Sequence, residues 1–357
     1  GQGVGVVVLD TGVVQSDDFV TGGNNRLVAT IAPATATTAD GYGHGSHVAG
    51  LIGGDGSNSN GRYTGVAPQV NLISVRAGDD SGGAQLSDVI NGLQWVLDNK
   101  DAYNIRVVNL SLRSDIAQSY TTDPLDAAVE LLTFRGILVV VAAGNTGTVA
   151  DAVSYAPAND PFVLTVGALD DVSTPDYKDD LVPAWSSRGV TQDGFAKPDV
   201  YVPGRRLISV LSPGSVLATE FPGNVVGSSY FQLSGTSMAA GVASGAAALI
   251  FQAHPDWTPF QAKYAITKSS VPLPANSAFR VEMVDKAIGL KLDAGDTEVP
   301  NIKPNYLLLR AAGIADPQSI SWGSISWGSI SWGSISWGSI SWGSISWGSI
   351  SWGAAGK

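Results

Sequence analysis

Three short segments carry side chains that could do covalent chemistry together. Asp10-Thr11-Gly12 closes an apolar run, His44-Gly45-Ser46-His47 opens a glycine-bordered helical stretch, and Gly235-Thr236-Ser237-Met238-Ala239 opens a long alanine-rich one. An acid, an imidazole and a hydroxyl thus appear in that order, each at the edge of a regular element. A serine hydroxyl is a poor nucleophile until a base takes its proton. An imidazole near neutral pKa suits that task, and a carboxylate fixes its tautomer and steadies the imidazolium. The set suits nucleophilic acyl transfer, with Ser237 attacking, His44 as general base and then acid, and Asp10 orienting His44. At a helix start, Ser237 also meets backbone N–H groups and a dipole end that favour a developing anion.

Each residue has a plainer reading. Asp-Thr-Gly also occurs in aspartic proteases, and Asp beside Gly is often only a turn. His44 and His47, three apart on a helix, could be a metal pair, but the only other histidine is His254 and there is no cysteine. Ser237 alone would be an ordinary helix cap. Specificity comes from the ordered set.

Such groups need a scaffold that brings distant stretches together. Val4 to Leu9, Asn71 to Val75, Arg106 to Leu110, Ile137 to Ala142 and Phe162 to Val166 read as strands buried on both faces. Leu86 to Asn99 and Pro124 to Phe134 carry apolar residues at helical spacing between them. Strand–helix alternation predicts an α/β chain with a parallel sheet covered on both sides. Ligands then gather beyond the carboxyl ends of the strands, where Asp10 and Asn145 both fall.

Composition narrows the partners. Lys plus Arg is 20 against 31 for Asp plus Glu, a net charge of −11, which argues against nucleic acid because phosphate binding needs a basic surface. The absence of cysteine excludes a disulfide framework and a thiol nucleophile. No run of 18 apolar residues lacks charge and turn signals, so no transmembrane segment is expected. The start at Gly1, without Met and with only nine residues before Asp10, reads as a processed or trimmed form, with a cleaved pro-segment expected outside this chain.

On these motifs the chain resembles the subtilases, the subtilisin-like serine proteases, from about Gly3 to Ser270. Gly65-Val66-Ala67-Pro68, Asn109-Leu110-Ser111-Leu112, Trp185-Ser186-Ser187-Arg188-Gly189 and Lys197-Pro198-Asp199-Val200 add to the match. The resemblance implies a three-layer α/β/α subtilisin-like fold with a mainly parallel central sheet. It implies a secreted serine endopeptidase of broad preference, acting on protein or peptide through an acyl-enzyme, with no cofactor required for the chemistry. Ala142-Ala143-Gly144-Asn145 matches the family's oxyanion segment, with the Asn145 amide as a donor. Gly82, Gly83 and Ala84 correspond to the edge that pairs with an extended peptide, which is strand addition and favours small side chains. Ser111 and Leu112 match the opposing segment, and the first specificity pocket falls between it and Ala142, Ala143 and Gly144. For the Gly82 to Ala84 stretch the plainer reading is a glycine loop with no partner.

Three departures stand out. After Ser-Met-Ala the family usually carries Pro-His-Val one residue on, but here the stretch reads Ala240-Gly241-Val242-Ala243. Glycine loosens a helix by about 1 kcal/mol, so Ser237 is expected to be held less firmly. Arg113 stands where the family has glycine beside the pocket, and either narrows the entrance or points into solvent. The acidic pair Asp17-Asp18 lies near the loop that often supplies a calcium ligand, with further oxygens from Asp55 to Asn60. A structural calcium is compatible with this composition, although the spacing forms no recognisable loop motif, and the metal ligands stay unknown.

Residues 1–293 read as the peptidase domain, 294–318 as a connector and 319–357 as a repeat tail. In the tail, Trp322, Trp327, Trp332, Trp337, Trp342, Trp347 and Trp352 mark seven copies of an Ile-Ser-Trp-Gly-Ser pentad, the seventh with Ala354 in place of the last serine. A five-residue period suits neither a plain helix nor a plain strand, and the apolar, aromatic content argues against disorder. A tight solenoid or a stack of short strands would satisfy it. Self-association, attachment to a surface, regulation of the protease, or an expansion without selected function are the roles left open. Two rival functions are carried alongside: a fold-keeping binding protein weakened in catalysis, and a surface protein whose working part is the tail.

Overall fold

The computed structural model describes residues 1–33, 37–293, 296 and 302–311, and the backbone of 344–346. The solenoid or strand-stack expectation therefore falls, apart from that tripeptide, outside the described residues. Nine strands form the central sheet: β1 Gly5–Asp10, β2 Leu27–Ile31, β3 Asn71–Arg76, β4 Ile105–Leu110, β5 Leu138–Ala142, β6 Leu164–Leu169, β7 Val200–Pro203, β8 Val271–Leu273 and β9 Asn276–Val281. Their order is β8-β9-β7-β6-β5-β4-β1-β3-β2. Neighbours pair in parallel throughout, except that β8 and β9 form an antiparallel hairpin at one edge.

Five helices of ten or more residues cover this sheet: α1 His44–Gly53, α2 Leu86–Asn99, α3 Pro124–Phe134, α4 Thr236–Ala253 and α5 Pro259–Ser269. The alternation of side chains along a strand assigns them to faces. Val6 and Val8 join a cluster with Val48 and Ile52 of α1, Ala243 and Ala247 of α4 and Ala265 of α5. Val7 and Leu9 join the other, with Leu93 and Val96 of α2 and Leu125 and Val129 of α3. β1 is buried over its whole length, as its run of valines requires in a sheet covered twice. The result is a three-layer α/β/α architecture.

Local chemistry starts the helices where the sequence says they should. Asp123 accepts from the N–H groups of Leu125 and Asp126 ahead of Pro124, and Thr258 and Gln261 form a reciprocal capping box on α5. Past Asp293 the chain returns to α3. Asn305 donates its N–H to Glu130 Oε2 at 2.8 Å, and the Tyr306–Ala311 helix buries Leu308 and Leu309. α4 is apolar and long enough by composition to cross a membrane, but 78% of it is buried inside the fold. It is a core helix.

Candidate active site

The carboxyl ends of β1, β4 and β5 and the amino end of α4 meet at one edge of the sheet. Asp10 is the last residue of β1, fully buried, and its Oδ1 also accepts the Thr11 N–H at 2.7 Å. His44 is the first residue of α1 and also fully buried. Its Nδ1 lies 2.8 Å from Asp10 Oδ1 and 3.0 Å from Oδ2. An ionised carboxylate only accepts, so Nδ1 carries the proton and the Nε2 lone pair is left over. Nε2 is buried with no hydrogen-bond partner among the described residues.

Gly45 is what lets the helix come so close. A Cβ there would stand 2.2 Å from the Gly12 carbonyl oxygen and 3.0 Å from Asp10 Cβ. The His44 imidazole is affected most by burial, which disfavours its charged form. The charge and hydrogen bond of Asp10, with the charge of Asp40 added, outweigh that and raise its pKa.

Ser237 occupies the first turn of α4 and is 3% exposed. Its hydroxyl contacts the Ser111 carbonyl at 3.5 Å, so the Asp10–His44 pair is assembled while no Ser237–His44 hydrogen bond is formed. The backbone around Ser237 is tied to β4 by a chain of polar side chains. Ser244 Oγ donates to Asn109 Oδ1 at 3.0 Å, Asn109 Nδ2 to Ser111 Oγ at 2.9 Å, and Ser111 Oγ to the Ser237 carbonyl at 3.1 Å.

Asn145 stands three residues past β5. Its Oδ1 accepts from Thr236 N at 3.0 Å and Thr236 Oγ1 at 3.1 Å, which fixes the amide beside Ser237. Ser111, Leu112, Arg113, Ala142, Gly144, Asn145, Thr236 and Ser237 line one small, partly open pocket. Ala143 is not among them; it is buried, with its N–H on the Val166 carbonyl. Gly83 and Ala84 belong to the short strand Gly83–Gln85, and Gly82 sits in the turn before it against the Tyr42 ring. Arg113 is half-buried, with its guanidinium 4.4 Å from the Tyr155 ring centroid. It borders the cavity.

Three residues not singled out from the sequence support this arrangement. Thr236 orients Asn145. Thr11 Oγ1 accepts the Gly45 N–H at 3.1 Å and donates to Asp40 Oδ1 at 2.8 Å. Asp40 is buried and receives Gly43 N at 2.7 Å, Ser46 N at 2.8 Å and Ser46 Oγ at 2.6 Å. Burial, ahead of these hydrogen bonds, raises its pKa. An acid four residues before His44 in a glycine-flanked stretch was the available signal.

The acidic loop does not fit a cation. Asp18 accepts from Asn58 N and Tyr230 Oη, both at 2.7 Å, and Asp55 accepts from Ser57 and Thr21. The positive charge beside them is Arg26, 3.6 Å from Asp55 Oδ2. His44 and His47 do not form a metal pair either, since His47 Nε2 donates to the carbonyls of Leu207 and Phe231. Among the described residues no group of three or more His, Cys, Asp or Glu could hold a metal.

Comparison with known proteins gives the same direction. The serine protease AprX of Bacillus subtilis (strain 168) is 40% identical over 271 residues, 74% of this chain and 60% of that protein. Subtilisin Savinase of Lederbergia lenta is 33% identical over 285 residues, 80% of this chain and 90% of that protein. A crystal structure of a cold adapted subtilisin-like serine proteinase superposes with a TM-score of 0.60 at 30% identity, covering 79% of this chain and 87% of the other. The chain thus spans three fifths of AprX and most of Savinase. A family model described as the subtilase family matches residues 1–298, and the chain belongs to that family of subtilisin-like serine endopeptidases.

Proposed function

We propose that this chain hydrolyses peptide bonds through Asp10, His44 and Ser237, by an acyl-enzyme intermediate. The observation that carries the reading is the buried Asp10–His44 hydrogen bond, which leaves Nε2 as a base without a partner among the described residues, on the helix that packs against α4. For catalysis the Ser237 hydroxyl must leave the Ser111 carbonyl and meet Nε2. Catalytic contacts are often long before substrate enters. His44 then takes the hydroxyl proton as Ser237 Oγ attacks the scissile carbonyl, and returns it to the leaving amine. Water repeats the sequence on the ester.

The oxyanion forms beside Asn145, whose oxygen is held by Thr236 so that its Nδ2 is the group presented as donor. The N-terminal end of α4 adds its dipole. Substrate backbone lies as a strand between Gly83–Gln85 and Arg113–Ser114, after the turn at Gly82. Its first side chain enters the cavity between Ser111-Leu112 and Ala142-Gly144. The small Ala and Gly walls leave room for an apolar side chain, and Arg113 at the rim favours acidic groups nearby. The substrate is protein or peptide, and the likeness to subtilisin Savinase supports an extracellular setting.

A fluorophosphonate probe should label Ser237, and Ser237→Ala should hydrolyse casein at no measurable rate. Full hydrolysis by that variant would overturn the assignment. Binding of peptide with no labelling of the unaltered chain would favour a fold-keeping binding protein instead.

A further inference from the structure

A piece of the pentad tail lies in the strand position just assigned to substrate. The tripeptide Ser344–Ser346 forms the middle strand of a three-stranded sheet, between Gly83–Gln85 and Arg113–Ser114. It runs antiparallel to both. Ser344, Ile345 and Ser346 pair with Gln85, Ala84 and Gly83 on one side, while Ile345 and Ser346 pair with Ser114 and Arg113 on the other. We propose that the Ile-Ser-Trp-Gly-Ser tail is an intramolecular ligand of the peptide cleft, so that the uncut chain holds its own peptidase in check. The proposal rests on the reading of the cleft given above.

The direction of the strand is that of a substrate. Arg113–Ser114 leads back through Leu112 to Ser111, whose carbonyl is 3.5 Å from Ser237 Oγ. An extended peptide antiparallel to it therefore approaches the nucleophile with its carboxyl end. Kept in register, the second residue beyond the partner of Arg113 comes opposite Ser111. In the pentad, two residues after that serine comes glycine, so the bond that this register would offer to Ser237 is the Gly–Ser bond within a copy.

The composition of the tail suits this seat. From Ser319 to Gly353 it contains no proline and no charged residue, so every backbone N–H can join a strand ladder. The Ser-Ile-Ser tripeptide recurs in all seven copies, and any of them can present the same pairing surface. The 32 residues from 312 to 343 can reach about 100 Å when extended. A tether of that kind holds its ligand at an effective concentration on the order of millimolar, which makes even a weak peptide ligand an effective competitor. Unlike a stapled lid, such an occupant yields to a substrate that binds better.

The test keeps the full chain and replaces Ile320, Ile325, Ile330, Ile335, Ile340, Ile345 and Ile350 each by proline, which removes the N–H and disfavours a central strand. Hydrolysis of a short chromogenic peptide and fluorophosphonate labelling of Ser237 are compared with the unaltered chain. The inference expects both rates to rise at least about tenfold, given that local concentration. Adding a synthetic three-copy pentad peptide should then raise KM for the variant and leave kcat unchanged. Equal rates in the two chains, with Ser237 labelled in both, overturn the inference and leave the peptidase reading standing. No hydrolysis and no labelling in either chain overturn both.

Discussion

Helix α1 carries two buried imidazoles one turn apart, and its two sides treat them in opposite ways. On the cleft side, His44 meets the Asp10 carboxylate and its pKa is raised despite complete burial. On the other side, His47 meets the hairpin of Leu207–Val210 and Tyr230–Leu233, and donates to two backbone carbonyls. Burial, with the neighbouring His44 adding, lowers its pKa to about 3. A carbonyl accepts one proton in a hydrogen bond but supplies no net charge to hold a second. Residue type and helix are shared, so the difference comes from carboxylate charge, that of Asp10 first and Asp40 after it. On the proposed mechanism the first imidazole gains a proton during the reaction, while the other is kept neutral as a structural donor.

The strongest way to break the contrast is to take the Asp10 carboxylate away. Asp10→Asn keeps the shape and removes the charge, and wrong tautomers of His44 then become available. By the usual cost of this change in a serine–histidine–carboxylate set, kcat should fall about 10⁴-fold. The pH profile is the sharper readout. In the unaltered chain kcat/KM should rise with pH through an inflection above the ordinary histidine value, because the base must be neutral to act. Without Asp10 the inflection should move down. An inflection at the same pH in both chains would show that Asp10 does not govern the charge of His44.

The hairpin side predicts a stability effect instead. The unfolded chain protonates His47 near 6.5, and the folded chain only near 3. Between those values the unfolded state binds more protons, so stability contributed by neutral His47 is intact above pH 6.5 and is lost as pH falls toward 3. The slope reaches about 1.4 kcal/mol per pH unit. Glu282, whose pKa burial pushes up to about 8, acts oppositely: its stabilising share is present below 4.5 and lost as pH rises toward 8. The measurement is therefore a difference, comparing urea unfolding of the unaltered chain and His47→Gln from pH 7 to 4. Gln keeps a donor and does not titrate, so the gap should narrow as pH falls, with the His44 inflection unmoved. A gap that stays constant over that range would refute a neutral, structural His47.

Much of this arrangement was legible from residue order, and the parts that were not have physical reasons. Leu86–Asn99 and Pro124–Phe134 are helices with the bounds their periodicity gives, since Asp123-Pro124 and the apolar stripe act locally. The strand expected over Phe162 to Val166 instead runs from Leu164 to Leu169. The Asp160 side chain accepts the Phe162 N–H, which makes a turn of the first apolar residues, and small Gly167 and Ala168 continue the strand past the point where hydropathy fades. β2 escaped notice because it is an edge strand whose burial alternates. In the site, the order acid, imidazole, hydroxyl pointed to Asp10 and His44 because each ends or begins an element. The supporting roles of Asp40 and Thr236 depend on contacts across 6 and 91 residues, and carry no local pattern beyond their types. The place of Ser344–Ser346 between Gly83–Gln85 and Arg113–Ser114 was the least legible of all, since a strand that pairs only with distant edges leaves no period of its own.

The third face of α1, toward α4, offers the gentlest test, because its packing should alter stability and leave the two imidazoles as they are. Two glycines of α4 lie there with different surroundings. At Gly241 a Cβ would stand 3.4 Å from both Val48 Cγ1 and the Val48 carbonyl oxygen, which is ordinary contact. At Gly245 it would stand 2.7 Å from Val66 Cβ and 3.2 Å from the Ile52 carbonyl oxygen, where either the helix or the Val66 loop must move. Gly241→Ala should therefore stabilise the fold by about 1 kcal/mol through helix propensity. Gly245→Ala should cost about 1–3 kcal/mol as overpacking. Gly241 also lies in the turn after Ser237, so the gain should appear as firmer seating of the nucleophile: faster probe labelling at an unchanged pH inflection. Thermal unfolding of the two variants separates the cases, and a loss of stability in Gly241→Ala would mean that the glycine is there for close helix contact, not as a loosened turn.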